Sequence, residues 1–361
     1  MQASAERKRG SMRDVGVISF AQRTAVKDRE RNEVEFVIPV VQEAVAASGI
    51  ARHDIGFTIS GSCDYLSGGP FTFVAGLDAA GAWPPVKESH VEMDAAWALY
   101  EAWVAIQTGE VDSALIYGFG KSSLTDVHQL ITLQTDPYTV APLWPSMVDL
   151  AALQASALLA EGGVTEADLA AVAARSRRDA QSNPYAVVSE DVDAEALLAR
   201  PVTHSPLRDA DIAPVTDGSA AIVIAAADVA REHCERPAWI RGIDHRIDAP
   251  HIGVRDLTTS ASTQRAGEEA GALQGGFDAA ELHAQFSHDE VILARALGLG
   301  ADTRINPSGG ALGANPMMAT GLIRIGEIFQ RIKSGEIGRG LAHATQGPCL
   351  QQNLVCVMEG E

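Results

Sequence analysis

From residue 13 onward, short apolar runs rich in β-branched residues alternate with longer stretches whose apolar positions recur at helical spacing. Asp14–Phe20 (DVGVISF), His53–Ser60 (HDIGFTIS), His90–Met93 and Ser113–Phe119 (SALIYGF) read as strands. Between them, Asn32–Ser48 sets Val34, Phe36, Val37, Val40, Val41 and Ala44 on one helical stripe, and Gly69–Gly81 reads as a short helix or helical loop. Ala95–Thr108 is a helix with Trp97, Tyr100 and Trp103 on one side, a spacing that suits core packing. Strands alternating with helices of this kind predict an α/β fold with a largely parallel sheet.

The rhythm breaks over Gly120–Pro145, where Asp136-Pro137-Tyr138 and Pro142-Leu143-Trp144-Pro145 disfavour continued helix. A segment of this length inside an α/β unit predicts a lid or an oligomer contact. Helices over Met147–Glu161 and Glu166–Ser182 follow, then a buried strand, Val215–Ala225. From about residue 237 the order begins again. Strand Ala238–Ile243, helix Thr263–Leu273, strand Ala280–Gln285, helices His288–Leu297 and Ala319–Ile332, and strands Leu341–Thr345 and Leu354–Glu359 repeat it. The repetition predicts an internal duplication. Residues 13–120 with 214–232 form one half, 121–213 a loop and linker region with helices, and 233–361 the other half. Residues 1–12 are polar and basic without an apolar pattern and are expected to be a disordered tail.

Charge narrows the class of partner. With 28 Lys and Arg against 47 Asp and Glu, the net charge of −19 disfavours nucleic acid and anionic membrane surfaces. No run is long and apolar enough to span a bilayer. The four cysteines (Cys63, Cys234, Cys349, Cys356) lack metal-site spacing, so no metal is expected, and thiols in a reducing cytoplasm are.

Five segments in order along the chain resemble the thiolase superfamily, closest to its sterol-carrier-protein-type, lipid-transfer-protein branch. They are His90-Val91-Glu92-Met93-Asp94-Ala95-Ala96 before the nucleophile helix; Glu161–Glu166 with Ala173–Arg178 and Asn183–Ala186 in the linker; Pro214–Ala221, like the strand that closes the first half; Glu281-Leu282-His283-Ala284-Gln285-Phe286, like the HDCF motif; and Asn306–Pro316, like the NxxGGxxxxGHP loop. The C-terminal Gly340–Glu359 is similar to the family's last hairpin. The resemblance implies two duplicated βαβαβαββ halves in a layered α-β-α-β-α arrangement, with a CoA thioester as substrate and no bound cofactor. It also implies a homodimer, or a heteromer with a thiolase-like paralogue, and in this branch a small OB-fold/zinc-ribbon partner.

The departures from the family's pattern define the expected chemistry. The nucleophilic cysteine falls on Ala95, the GHP histidine on Asn315, and the second cysteine at or near Thr345, with Cys349 four residues beyond. Acyl transfer through a cysteine needs a thiolate, which a methyl group cannot supply. A retro-aldol cleavage of a 3-hydroxyacyl-CoA needs only a base and donors for the thioester enolate. His283 and Asn315 are the candidate enolate donors, with His343 and Tyr65 as candidate proton-transfer groups. Cys349, Gly310 and Gly347 are candidate pocket residues, and Arg175 and Arg178 candidate contacts to CoA phosphates.

The sequence-based expectation is therefore a lyase of the steroid side-chain aldolase kind, acting on a bulky acyl-CoA. The alternatives are a catalytically silent subunit of a heteromeric aldolase, and an acetyl-CoA acetyltransferase, thiolase or lipid-transfer protein.

Overall fold

The computed structural model describes residues 12–28, 30–81, 86–133 and 135–361, without the side chains of His128 and Ile131. All but Met12 of the expected disordered tail thus lies outside the described residues. The strands are β1 (Val15–Ala25), β2 (Phe57–Gly61), β3 (Glu88–Val91), β4 (Ser113–Lys121), β5 (Val202–His204), β6 (Leu207–Arg208), β7 (Asp217–Ala226), β8 (Ala238–Ile247), β9 (Ala279–Leu282), β10 (Arg304–Ile305), β11 (Arg339–Gln346) and β12 (Gln352–Glu359). Apart from the β5–β6 hairpin they form one continuous sheet in the order β10-β9-β11-β12-β8-β1-β7-β4-β2-β3.

That order contains the same pattern twice. β1-β7-β4-β2-β3 and β8-β12-β11-β9-β10 superpose strand for strand in connectivity, and in each half two pairings are parallel and two antiparallel. The expectation of a largely parallel sheet is thereby corrected to a mixed one. The reason is visible at β11 and β12, joined by the turn 347–351, because so short a connection can only reverse the chain. The halves meet where Gly16 and Val17 of β1 pair with Trp239 and Ala238 of β8.

The central strands, such as β4, β7 and β12, are buried on both faces, which is why the sequence shows apolar runs there. On β12, Leu354, Cys356 and Met358 face a central core while Val355 and Val357 face an outer one. On β4, Ala114 and Ile116 face the central core and Leu115, Tyr117 and Phe119 the other outer one. The central core is filled by two helices, Ala95–Gln107 and Thr320–Ser334. Helix Glu33–Ser48 covers one outer face, and Met147–Glu161, Ala261–Glu269 and Ser287–Ala296 cover the other. The result is the layered α-β-α-β-α stack. The helix expected over Glu166–Ser182 ends as an α-helix at Asp179 and closes with a 3₁₀ turn.

The two central helices start at the same place, and one side chain caps both. Asp94 Oδ1 accepts from the N–H groups of Ala96 (2.9 Å) and Leu322 (3.2 Å), and Oδ2 accepts from Gly321 N–H (2.9 Å). The Ala95 N–H donates to the Met318 carbonyl at 2.9 Å, closing the junction. Glycine on β4 makes the approach feasible. A Cβ on Gly118 would lie 2.5 Å from Ala95 Cβ and 2.6 Å from Met318 O, and one on Gly120 would lie 2.2 Å from Met317 O.

Replacing Asp94 with alanine leaves three buried N–H groups without an acceptor. We expect a loss of about 3 kcal/mol or more of unfolding free energy, read as a lower urea midpoint. Asp94→Asn keeps one acceptor and should lose less. An unchanged midpoint in Asp94→Ala would contradict the double-cap role.

Candidate active-site cleft

The N-termini of the central helices open onto a cavity of ≈ 310 Å³. Its walls come from the β3-to-helix turn (Glu92, Asp94), the end of β9 (His283, Gln285), the loop before the second central helix (Met317, Met318), and the β11–β12 turn (Thr345, Gln346, Gly347, Pro348, Gln351, Gln352), with Met147 across from them. Two smaller pockets adjoin it and share Met147 and Gln285. One (≈ 40 Å³) is lined by Asn315, Val127, Ile212 and Phe286; the other (≈ 10 Å³) by Asp289, Cys349 and Leu350.

His283 is the centre of the hydrogen bonding. Its Nε2 lies 3.2 Å from Asn315 Oδ1 and 3.3 Å from Gln285 Nε2, and its Nδ1 accepts from the Thr345 N–H at 3.4 Å. Since Nδ1 is an acceptor, the proton of the neutral ring sits on Nε2, directed at Asn315. Asn315 Oδ1 also accepts from the Thr320 hydroxyl (3.0 Å), and its N–H donates to Thr216 Oγ1 (3.1 Å). Burial pushes the His283 pKa down to about 3, so the ring is a neutral donor through the physiological range. Burial likewise pushes Asp94 up from its ordinary value, against the pull of the three N–H groups it accepts from.

The structure brings together His283, Asn315, Thr345 and Gly347, which sequence reading had singled out. Gly347 (φ +80°) occupies a turn conformation that favours glycine. Ala95 is fully buried one residue behind the cleft wall, packed towards Gly118. Cys349 lines the small inner pocket, but its thiol donates to the Leu150 carbonyl at 3.4 Å, and burial pushes its pKa up to about 12. It is a protonated thiol at neutral pH.

Other expected site residues lie elsewhere. His343 sits inside the protein with Nε2 on Asn353 Oδ1 (3.0 Å) and does not line the cleft, because it is two residues deeper on β11 than Thr345. Tyr65 is 57% exposed on the short helix Asp64–Ser67. Gly310 does not line the cleft and is packed so that an added Cβ would meet the Asn306 side chain at 2.9 Å. Arg175 is paired with Glu290, and Arg178 donates one N–H to the Val192 carbonyl at 2.9 Å; neither lines the cleft. The residues not anticipated are the amides Gln285, Gln346, Gln351 and Gln352, with Glu92. Each lies in or beside a recognised motif or its terminal hairpin, but nothing in the local pattern shows which way its side chain turns.

The fold is a thiolase-like one. No family model matches the chain. In sequence it is 26% identical to the acetyl-CoA acetyltransferase of Methanothermobacter thermautotrophicus, over 91% of this chain and 93% of that protein. It is 24% identical to sterol carrier protein 2 of Bos taurus, over 67% of this chain and 51% of that protein. Among solved structures it is similar to an Ltp2-ChsH2(DUF35) aldolase, with TM-score 0.79 and 17% identity, over 96% of this chain and 97% of that one. No helix among the described residues is long and apolar enough to cross a membrane.

Three buried histidines set an acid limit. His283 and His288 are pushed down to about 3 and His343 to about 4, all chiefly by burial. The unfolded chain takes up these protons near pH 6.5 and the folded chain does not, so stability is present above that pH and is lost as pH falls towards 3. His288 stacks on Phe286, and neither of its ring nitrogens makes a hydrogen bond, although Nε2 lies 3.4 Å from Asp289 Oδ1. His288→Phe should therefore flatten the stability–pH slope between pH 6 and 4 by roughly 1.4 kcal/mol per pH unit. Urea unfolding at several pH values checks this; a slope unchanged from the parent would refute it.

Proposed function

We propose that this chain is a thiolase-like carbon–carbon lyase that cleaves a bulky 3-hydroxyacyl-CoA by a retro-aldol reaction. The observation that carries the reading is a buried donor pair, His283 and Asn315, set at the mouths of two helices where Ala95 offers no nucleophile. A base removes the β-hydroxyl proton and the Cα–Cβ bond breaks. Its electrons move onto the thioester as an enolate, which is then protonated to an acyl-CoA beside the released carbonyl compound. The Asn315 amide N–H and the His283 Nε2–H, which here is directed at Asn315 Oδ1 and would have to share its hydrogen with the substrate, are the donors for that enolate oxygen, and donors of this kind are each worth a few kcal/mol. The reaction class is taken from the aldolase whose fold this chain resembles.

The same likeness supports assembly with an OB-fold/zinc-ribbon partner, since that aldolase carries a DUF35 component. The exposed apolar residues Leu124, Leu133, Tyr138, Leu143 and Trp144 offer a surface for such a contact. A second reading, a catalytically silent subunit that shapes an active homologue, is favoured by the commitment of Arg175 and Arg178 to contacts within the chain. An acetyltransferase acting through cysteine is disfavoured by the protonated state and outward bond of Cys349.

Aldehyde or ketone release from a 3-hydroxyacyl-CoA, measured for the chain alone and with a co-expressed partner, tests the proposal. We expect cleavage that survives iodoacetamide and falls about 100-fold or more in His283→Ala. Cleavage unaffected by His283→Ala refutes the enolate role. Activity gained only on adding a homologue supports the silent subunit, and iodoacetamide inhibition restores a cysteine mechanism.

A further inference from the structure

The cleft and its two side pockets are lined by no lysine or arginine among the described residues. Three carboxyl groups face them instead: Glu92, Asp94 and Asp289. His283 offers no positive charge, because burial keeps its ring neutral. Helix N-termini ordinarily welcome anions, and two of them open here. Both are already occupied, since the Asp94 carboxylate takes the N–H groups of Ala96, Gly321 and Leu322. An acyl group that brought a free carboxylate into this space would find no cation among the lining residues and would meet the like charge of Glu92, while burial, which pushes Asp94 up from its ordinary value and Asp289 up to about 7, leaves those two adding less. What the walls do offer is amide hydrogen bonding from Gln285, Gln351 and Gln352, and the pliant thioethers of Met147, Met317 and Met318.

We infer that the cleft selects uncharged acyl groups, apolar or bearing hydroxyl or carbonyl oxygens, and excludes acyl groups that carry a free carboxylate. The inference rests on the acyl-CoA reading above and adds the substrate class to it. It concerns the acyl moiety alone. Selection works by withholding a partner: burying an unpaired carboxylate costs far more than burying the same chain without it.

Equilibrium dialysis of the full-length protein with octanoyl-CoA and with its ω-carboxylated counterpart of equal chain length tests this without requiring turnover. The neutral compound should bind at least 30-fold more tightly. Gln351→Lys, which places a cation on the wall, should narrow the gap at least tenfold, chiefly by tighter binding of the carboxylated compound. Glu92→Gln, which removes a like charge at almost unchanged volume, should narrow it as well, and provides the check if the lysine variant does not fold. Equal binding of the two compounds to the parent, or tighter binding of the carboxylated one, overturns the inference and leaves the acyl-CoA reading standing. A gap that persists unchanged in the folded variants overturns its electrostatic basis. Binding of neither compound overturns the acyl-CoA reading, and this inference with it.

Discussion

The carboxylate of Asp94 is the point from which the architecture is organised. Two halves with the same strand order each send one helix into a shared central layer, and their N-termini converge. Converging N-termini place several unpaired N–H groups, and two dipole ends of the same sign, side by side in a buried position. Without an anion between them the arrangement would be strongly unfavourable. Asp94 supplies that anion from within the chain, taking Ala96, Gly321 and Leu322 at once. Its own N–H donates to Gln346 Oε1 at 3.0 Å, which ties the junction to the β11–β12 turn.

The same interaction shapes the chemistry available at the cleft. A helix pair whose dipole ends are satisfied by a protein carboxylate no longer offers a strong site for an outside anion. The remaining donors are neutral: the His283 imidazole, the Asn315 amide and the glutamine side chains. Neutral donors suit an enolate that exists only in passing, because they stabilise developing charge without trapping a charged ground state. The burial that keeps His283 neutral also makes it, with His288 and His343, a liability in acid.

Much of the fold was legible in the chain itself. Strands buried on both faces left apolar runs within Ser113–Phe119 and over Ala220–Ala226, and helical spacing over Asn32–Ser48 marked a helix that forms from Glu33 with Asn32 as its cap. Strand direction was not legible, because a run such as β7 reads the same whether its neighbours run with it or against it. The two-residue β10 and the β5–β6 hairpin escaped notice, being too short to show a period.

For the site, local sequence determined which segments matter: the motif-like stretches at 90–96, 281–286 and 306–316 all reach the cleft or support it. It also determined that the position at the head of the first central helix is a methyl group, and that the protein is strongly acidic. Only the tertiary structure decided which side chains within those segments face the cavity. His283 and Asn315 meet because a strand end and a loop 32 residues apart are brought edge to edge. His343 is buried, Gly310 is closely packed against Asn306, and the linker arginines bond within the chain away from the cleft. The reason is physical: a residue's type is local, whereas its burial, its hydrogen-bond partner and hence its charge state depend on residues far away in the chain.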